Sequence, residues 1–263
     1  MTTADNTPIP DYQKLLRLDG KNYIVLGAGQ GMGRQTSHAL KQVGAKVFCV
    51  DVDQQRADEI AAEVGGIGMV ADCTQRSEVQ KLVDAAEKQM GRIDGFVDII
   101  GIATWAGIFD IDDKAWDNQF DLCLRHAYLA SQIAGRRMKE TGGGTMVFIA
   151  SVSGLSAAPM HAAYGAAKAG LMAWVQSLAV ELGPFQIRAN AVAPGSTLTP
   201  RVKAMLIDSG RMESSIAAVP LGRVGTPDDI ASAALFLSTP LSKHITGRTL
   251  VVDGGVDCKF PYS

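Results

Sequence analysis

Residues 23–33 read YIVLGAGQGMG, and this stretch decides the fold. Apolar residues typical of a buried strand lead directly into a loop that holds Gly27, Gly29, Gly31 and Gly33, and a helical pattern begins at once. Glycines in such a turn let the backbone approach a pyrophosphate closely, while the N–H groups and the dipole of the next helix face its negative charge. The stretch therefore predicts a strand, a phosphate-binding loop and a helix.

Short apolar runs alternate with longer stretches of helical period along the rest of the chain. Seven runs are typical of strands: 23–26, 47–50, 67–71, 95–100, 145–150, 187–193 and 249–252. The stretches between the first six are long enough for crossover helices: 31–43, 53–64, 75–90, 113–140 and 162–183. The first five runs are nearly continuous in apolar residues, as expected of strands covered on both faces. This pattern predicts an α/β fold of the Rossmann type with a doubly wound, seven-stranded parallel sheet.

The domain organisation follows from the regularity of this pattern. No repeat, low-complexity tract or linker interrupts it, so we expect a tail at 1–17 and one domain over 18–263. The segment from about 195 to 226 fits the alternation least, follows a strand end and is rich in Thr, Met and Leu. We expect it to be a mobile lid.

The composition excludes several functional classes. Of the 263 residues 47% are hydrophobic, and 25 Lys and Arg against 27 Asp and Glu give a net charge of −2. Such a balance creates no field that would attract nucleic acid or an anionic membrane. No uncharged apolar run reaches the roughly 18 residues of a membrane span, and the N-terminus lacks the apolar core of a signal peptide. We therefore expect a soluble, cytoplasmic protein with neither a nucleic-acid nor a membrane partner.

The cysteines show no metal-binding pattern. Cys49, Cys73, Cys123 and Cys258 form no CxxC and no Cys/His pairing at ligand spacing. Buried free thiols and no bound metal are expected.

An acidic residue at the end of the second strand indicates the cofactor. Asp51 closes this strand about 20 residues after the glycine loop, where a carboxylate accepts hydrogen bonds from both hydroxyls of an adenosine ribose. The 2′-phosphate of NADP would meet that carboxylate, and the neighbours Gln30 and Val52 carry no compensating positive charge. NAD is therefore predicted. On this evidence alone, a methyltransferase that binds S-adenosylmethionine stays open.

A tyrosine and a lysine share a helix face in the second half of the chain. Tyr164 and Lys168 are four positions apart, so on a helix they stack one turn from each other. A phenol with a pKa of about 10 is a poor base at neutral pH, and a nearby ammonium group lowers that pKa. Ser151 lies just past the fifth strand, at the sheet edge where ligands bind, so its hydroxyl can hold a substrate oxygen.

These pieces together resemble the short-chain dehydrogenase/reductase family over residues 18 to 255. The matching elements are GAGQGMG at 27–33, Asp51, Asp72, Ser151, YGAAK at 164–168, PGSTLT at 194–199 and VDGG at 252–255. Their order and spacing remove the methyltransferase alternative. The resemblance implies reversible hydride transfer between NAD and a CH–OH group.

The family pattern also implies a role for each matching position. Tyr164 would be the acid/base, Ser151 would orient the reacting oxygen, and Lys168 would lower the tyrosine pKa and bind the nicotinamide ribose. Asp72 with Cys73 would flank the adenine, and the backbone around 194–199 would hold the carboxamide and the diphosphate. The full set implied to bind the cofactor is Gly27, Gln30, Gly31, Met32, Gly33, Asp51, Asp72, Cys73, Ile99, Gly101, Tyr164, Lys168, Pro194, Gly195, Thr197 and Thr199.

The chain departs from the family at three places. Leu26 stands where a threonine usually opens the glycine motif, and Asp98-Ile99-Ile100-Gly101 replaces Asn-Asn-Ala-Gly. Cys123 occupies the place of an asparagine that helps to hold a water behind the lysine, so the proton relay is expected to be altered or rebuilt. A reactive thiol at Cys123 is the less favoured alternative. His126 and His161 are expected to be packed or pocket-lining residues rather than second bases.

The residues expected around the substrate are mostly apolar. They come from the loop after the fourth strand, the segment after Ser151 and the lid: Trp105, Phe109, Val152, Leu155, Met160, His161, Leu198, Val202, Met205, Leu206 and Met212, with Arg201, Lys203 and Arg211 as the few charges. This lining favours a bulky hydrophobic secondary alcohol or ketone, alicyclic, steroid-like or aromatic. One alternative is that many of these side chains only pack the lid. The alternative functions are a 3-oxoacyl thioester reductase and a non-catalytic NAD-binding regulator.

The resemblance further implies a homo-oligomer, a dimer or a tetramer, associated through two long helices. Ala166, Ala167, Ala169 and Gly170 would allow close helix approach.

Overall fold

Seven parallel strands form one sheet in the computed structural model, which describes residues 6–259. The strands are β1 Asn22–Leu26, β2 Lys46–Asp51, β3 Ile67–Val70, β4 Gly95–Asp98, β5 Gly144–Ile149, β6 Ile187–Pro194 and β7 Thr249–Val252. Their order in the sheet is β3-β2-β1-β4-β5-β6-β7. The predicted fold class is confirmed.

Side chains of one strand enter two separate cores because successive residues point to opposite faces of the sheet. In β1, Ile24 and Leu26 join the core on one face, while Tyr23 and Val25 join the core on the other. All residues of this strand are buried. Burial on both faces explains the continuous apolar run. It also gives Leu26, which departs from the family pattern, a place in the apolar core.

Helices cover both faces of the sheet. They are α1 Tyr12–Leu15, α2 Met32–Gln42, α3 Gln54–Val64, α4 Arg76–Met90, α5 Asp113–Phe120, α6 His126–Glu140, α7 Ala162–Leu182, α8 Pro200–Asp208, α9 Met212–Ala217 and α10 Pro227–Ser238. Helices α4, α6 and α7 pack on one face, and α2, α3 and α10 pack on the other. One π-helical turn, Asp121–Arg125, joins α5 to α6. The sequence did not predict this turn.

The strand order reverses between β1 and β4, which creates a crevice at the carboxyl edge of the sheet. The loops that follow these two strands touch there, because a Cβ added to Gly27 would lie 3.6 Å from the side chain of Ile99. Parallel α/β sheets bind ligands at such a switch point. The sheet topology therefore fixes where the candidate site lies.

The segment 195–226 follows β6 and carries α8 and α9. Thr199 caps α8, its hydroxyl accepting the Val202 amide at 3.3 Å. At the far end Arg223 pairs with Asp229 at 2.6 Å, in the first turn of α10, and holds the pKa of that carboxyl well below its usual range. The segment is thus anchored at both ends, and lid motion remains a prediction.

The two ends of the described chain include one correction. The predicted tail at 1–17 holds the short helix α1, and Leu18, where the predicted domain begins, is buried in a core. Cys258 is exposed, whereas Cys49, Cys73 and Cys123 are buried, so the expectation of a buried thiol is wrong for Cys258. Within residues 6–259, no helix combines the length and the apolar character needed to cross a bilayer.

Candidate active site

A cavity of about 650 Å³ opens at the carboxyl edge of the sheet. The loops after β1, β2 and β3 line one end, and the loops after β4 and β5, helix α7 and the segment 195–226 line the other. Asp51 and Asp72 lie at the first end, and Ser151 and Tyr164 lie at the second. One cavity therefore joins the expected cofactor residues to the expected catalytic residues.

The glycine loop borders the cavity with its backbone, and its glycine positions leave little room for side chains. Gly31 has a φ of +56°, a conformation that L residues with side chains rarely adopt. A Cβ on Gly29 would lie 2.8 Å from a carboxylate oxygen of Asp51, and one on Gly33 would collide with the carbonyl oxygen of Gly27. The loop therefore keeps its backbone open toward the cavity. Gly33 packs against the backbone of Gly27 and does not line the cavity.

Asp51 is held by backbone amides. It is 8% exposed, and its two oxygens accept hydrogen bonds from Gly29 at 3.0 Å and from Asp53 at 3.2 Å. Each carboxylate oxygen can accept a second bond, so a ribose diol can bind here. Arg56, which the sequence analysis did not consider, lines the same end with its guanidinium 4.0 Å from Asp51. The signal was available, because Arg56 follows Asp51 by little more than one helical turn.

Ser151, Tyr164 and Lys168 meet at the other end. Ser151 begins a 3-10 turn, and its hydroxyl oxygen accepts the Ser153 amide at 3.1 Å. Lys168 is 1% exposed, and its ammonium group donates to the carbonyls of Ile149 at 2.6 Å and Ile100 at 3.4 Å. The same ammonium group lies 5.9 Å from the centre of the Tyr164 ring.

The charge of Lys168 is not neutralised by a carboxylate among the described residues, since only backbone carbonyls accept from it. The ammonium group therefore places a positive charge, without a carboxylate partner, beside the Tyr164 ring in the same cavity as Ser151.

Asp98, which departs from the family pattern, holds the loop after β4. Asp98 accepts the Ile100 amide at 3.1 Å and pairs with Nδ1 of His126 at 2.7 Å. His126 is 1% exposed and does not line the cavity, so it is a packed residue. A Cβ on Gly101 would lie 2.6 Å from the Lys168 nitrogen. Only glycine at this position leaves room for the ammonium group.

Cys123 lies within the π-helical turn, and a buried glutamine one turn earlier contacts it. The Gln119 side-chain nitrogen donates to Cys123 Sγ at 2.9 Å and to the Ile102 carbonyl at 2.7 Å. Its side-chain oxygen accepts the Thr104 amide at 2.7 Å. Gln119 thus ties the loop after β4 to the helix. Gln119 was not predicted to be a site residue, although its place four residues before Cys123 was a usable signal.

Most of the predicted positions line the cavity. They are Gly27, Gln30, Gly31, Met32, Asp51, Asp72, Cys73, Ile99, Gly101, Trp105, Ser151, Val152, His161, Tyr164, Lys168, Pro194, Gly195, Thr197, Thr199 and Met205. Gly33, Leu155 and Leu198 do not line it. Leu155 is 49% exposed because the turn after Ser151 directs it outward. The individual roles of the lining residues stay predictions.

The structure changes the predicted lining of the substrate end, and Lys203 is one predicted charge that lies outside the cavity. Phe109 is 98% exposed and lies outside the cavity, as do Met160 and Met212. Ser153, Ser215, Arg201 and Arg211 join Trp105, Val152, Val202, Met205 and Leu206 in the lining. The end is therefore mixed in character.

His161 lies between two rings of the substrate end. Its ring centre is 4.2 Å from that of Trp105 and 5.5 Å from that of Tyr164. Burial lowers the pKa of His161, so the ring is neutral at neutral pH. Its Nε2 atom is buried and has no hydrogen-bond partner within the described part of the chain.

Two of the buried thiols, those of Cys49 and Cys73, are not activated. Burial raises the pKa of Cys49 to about 12 and also raises that of Cys73. A thiol is a poor nucleophile when its pKa lies far above neutral. Cys73 therefore contributes shape to the adenosine end rather than chemistry.

The cavity residues fit a nicotinamide dinucleotide. The glycine loop leaves space against the N-terminus of α2, and Asp51 offers lone pairs for a ribose. Among residues 6–259, no three His, Cys, Asp or Glu side chains are grouped to hold a metal ion.

Comparison with known proteins gives a consistent picture. A family model described as enoyl-(acyl carrier protein) reductase matches residues 27–257. L-rhamnose 1-dehydrogenase (NAD(P)(+)) of Azotobacter vinelandii is 37% identical over 90% of this chain and 96% of that protein. D-threitol dehydrogenase of Mycolicibacterium smegmatis is 35% identical over 92% of this chain and 95% of that protein.

Solved structures are similar as well. The structure of 7α-hydroxysteroid dehydrogenase complexed with NADH and 7-oxo glycochenodeoxycholic acid superposes with a TM-score of 0.88 at 30% identity. The match covers 94% of this chain and 98% of that one. Proteins similar to this chain thus oxidise or reduce sugars, polyols and steroids.

Proposed function

Because the chain belongs to the short-chain dehydrogenase/reductase family and is a nicotinamide-dependent oxidoreductase acting on CH–OH groups, we propose that it interconverts a bulky hydrophobic secondary alcohol and its ketone, with NAD as cofactor. The observation that carries this proposal is the buried, carboxylate-free ammonium group of Lys168 beside the Tyr164 ring in a cavity that also holds Ser151. The earlier alternative of a non-catalytic regulator is not retained, since the relatives are named dehydrogenases.

The chain supplies the proton transfer and the positioning. The chemistry that the nicotinamide supplies when bound is hydride transfer to or from the carbinol carbon. During oxidation Tyr164 accepts the hydroxyl proton, and during reduction it returns the proton to the carbonyl oxygen. Lys168 stabilises the phenolate that oxidation requires. Ser151 donates a hydrogen bond to the substrate oxygen, since its own oxygen already accepts the Ser153 amide.

The preference for NAD rests on Asp51. Its carboxylate is nearly buried, so a 2′-phosphate would place like charges together in a poorly solvated corner. Arg56 lies within 4.0 Å of that carboxylate and moderates the repulsion. We therefore expect the chain to prefer NAD to NADP, and we expect Arg56 to reduce the size of that preference.

The hydrophobic substrate is supported by the packing of the substrate end. Trp105, Val152 and Met205 offer apolar surface, and burial of apolar area contributes about 25 cal/mol per Å². A sugar or a polyol would gain less from this apolar surface than a ring system does, because its hydroxyls would lose water there. The relatives that act on rhamnose and threitol make this the part of the proposal that most requires a test.

The test is NADH formation with a matched panel of alcohols. Cyclohexanol, 1-phenylethanol and a 7α-hydroxysteroid are compared with threitol and rhamnose at equal concentration. We expect kcat/KM to be at least about tenfold higher for the cyclic and aromatic alcohols than for the polyols. A preference for threitol or rhamnose would overturn the substrate class and leave the reaction type intact.

A 3-oxoacyl thioester is the second candidate substrate. A relative named 3-oxoacyl-[acyl-carrier-protein] reductase, from Thermotoga maritima, is 31% identical over 92% of this chain, and it favours this candidate together with the arginines at the cavity. Reduction of acetoacetyl-CoA faster than any simple ketone would support this candidate.

The expected oligomer involves α6 and α7. A groove between these helices is lined by Phe120, Leu124, Tyr128, Gly170, Ala173 and Trp174, among others. Ala166 and Ala169 are exposed, whereas Ala167 is buried inside the subunit and is not available for association. We expect light scattering to give a dimer or a tetramer, and Ala173→Arg to shift it toward the monomer. A monomeric wild-type protein would contradict this.

A further inference from the structure

Two arginines of the segment 195–226 line the substrate end of the cavity. Arg201 lies in the first turn of α8, and Arg211 lies just before α9. The acidic residues that line the cavity, Asp51 and Asp72, both lie at the adenosine end. The substrate end therefore carries positive charge and no negative charge from the lining residues.

Neither arginine is neutralised by an acidic partner among the described residues. The Arg201 side chain donates to the Ala103 carbonyl at 3.3 Å, and Arg211 Nε donates to the Ser209 hydroxyl at 3.1 Å. A guanidinium has five N–H donors, so most donors of each group remain free. By contrast, Arg223 of the same segment makes two short hydrogen bonds to one carboxylate, at 2.6 and 2.7 Å.

The position of Arg211 relative to the catalytic tyrosine is fixed by a row of ring contacts. Its guanidinium carbon lies 5.7 Å from the centre of the Trp105 ring, the Trp105 ring contacts His161, and His161 contacts Tyr164. Trp105 is 41% exposed, so part of its surface is free for a ligand. An apolar body that covers this surface would run from the phenol toward the guanidinium.

We propose that the substrate is an amphipathic ketone or alcohol whose ring system packs on Trp105 and whose oxyanion binds Arg211 and Arg201. The oxyanion is a carboxylate or a phosphate, since both match the planar fork of an arginine. This inference rests on the proposed function and refines its hydrophobic substrate to one with a charged end. A sugar or a polyol lacks that end.

The experiment uses matched ketones in the direction of reduction with NADH. The one-ring probes are 4-acetylbenzoate, 4-acetylphenyl phosphate and methyl 4-acetylbenzoate, which is neutral. The corresponding 4′-acetylbiphenyl compounds place the charge farther from the ketone. Wild type is compared with Arg211→Gln, Arg201→Gln and the matched control Lys203→Gln, which removes an exposed charge of α8 that does not line the cavity.

At one of the two lengths, we expect kcat/KM of wild type to be at least about tenfold higher for an anion than for the ester. Arg211→Gln should lower the value for the anion by about 10- to 100-fold, as for a lost charge-assisted hydrogen bond, and the value for the ester by less than about threefold. Lys203→Gln should change both by less than about threefold. The ratio of carboxylate to phosphate identifies which oxyanion is preferred.

Three results would overturn the proposal. The first is no preference for an anion at either length, and the second is an equal loss for anion and ester in Arg211→Gln. That second result would mean that the arginines only hold the segment against the loop after β4. The third is an equal loss for the anion in Lys203→Gln, which would indicate a general effect of surface charge.

Failure of the proposed function gives a different pattern, namely no ketone turned over or turnover that survives Tyr164→Phe. Binding of 4-acetylbenzoate and its biphenyl homologue, each with its methyl ester, to the NAD-loaded protein by calorimetry then decides the inference. Tighter binding of an anion by about tenfold, lost in Arg211→Gln, supports it. Equal binding of anions and esters overturns it.

Discussion

Replacement of Gln119 by leucine should loosen the loop that carries Gly101 and Trp105. The wild-type side chain is fully buried and makes hydrogen bonds of 2.7 Å to both the Thr104 amide and the Ile102 carbonyl. Leucine has a similar volume and no polar atom, so both backbone groups lose a partner while the packing space stays filled.

The magnitude follows from these lost hydrogen bonds. An unsatisfied buried polar group costs about 1–3 kcal/mol, and two groups are affected. Water reaches part of this half-buried loop, so we expect Gln119→Leu to lower the free energy of unfolding by about 2–4 kcal/mol. With an unfolding entropy of about 2.1 cal/mol/K per residue, such a change lowers the Tm of a chain of this size by roughly 4–7 °C. We also expect kcat/KM to fall by at least about tenfold, because Gly101 lies directly against Lys168 and errors of about 1 Å in position near the chemistry are costly.

The assay combines urea unfolding with steady-state kinetics on the same protein samples. Gln80→Leu is the matched control, because Gln80 is exposed on α4 and, within residues 6–259, its side chain bonds only Asp84. Surface substitutions of this kind usually stay within about 0.5 kcal/mol. If Gln119→Leu and Gln80→Leu unfold at the same urea concentration and keep equal activity, the reasoning about the loop is refuted.

Four further predictions concern the cofactor and the groups behind the lysine. The kcat/KM of the wild type should be about fivefold to a thousandfold higher with NAD than with NADP, because the 2′-phosphate would place one like charge about 4 Å from Asp51. Asp51→Ala should lower this ratio. Equal values of kcat/KM for the two cofactors in the wild type would refute the role of Asp51. Arg56→Ala should raise the ratio of kcat/KM with NAD to kcat/KM with NADP. A lower ratio would show that the Arg56 charge does not offset the repulsion between Asp51 and the 2′-phosphate. Cys123→Ala should keep most activity. Cys123→Asn should lower the free energy of unfolding, measured in urea, by about 1–3 kcal/mol because the larger amide crowds a packed site. A loss of activity beyond about 100-fold in the alanine variant, with NAD binding intact, would show that the thiol takes part in the reaction. Gly101→Ala should lower kcat more than about tenfold by displacing the Lys168 ammonium group, and unchanged kcat would refute that contact.

The strands and helices were predictable because their burial leaves a direct trace in the sequence. Helix α3 spans 54–64 where the pattern predicted 53–64, and β7 spans 249–252 as predicted. Strands buried on both faces must be apolar throughout, and crossover helices must show an apolar stripe. Both signals are local, so one sequence was enough.

The substrate end was less predictable because loop side chains have no such period. Leu155 and Phe109 are apolar and close in sequence to lining residues, yet both face solvent. The π-helical turn at 121–125 shifts the register between α5 and α6, and no composition rule signals it. Gln119 is polar and fully buried, which reverses the usual assignment of glutamine to the surface. Its role follows from two backbone groups that only the folded loop presents.

The proximity of Tyr164 and Lys168 was predictable from spacing, whereas the contacts of the ammonium group needed the fold. Tyr164 and Lys168 are four positions apart in the sequence, and helix α7 places them together as expected. The sequence did not indicate that the ammonium group would be bound by the Ile149 carbonyl, 2.6 Å away at the end of β5. This bond fixes the charge beside the phenol without neutralising it.

The most direct test of the account is the rate of Tyr164→Phe compared with its affinity for NAD. Turnover of the best alcohol is followed by NADH formation, and NAD binding is measured by calorimetry on the same preparation. A general acid or base contributes about 100-fold or more, so we expect kcat to fall by at least that factor while the Kd for NAD changes by no more than a few-fold. Lys168→Ala should impair both quantities. A phenylalanine variant that keeps more than about a tenth of the wild-type rate would contradict the assignment of Tyr164 as the acid/base.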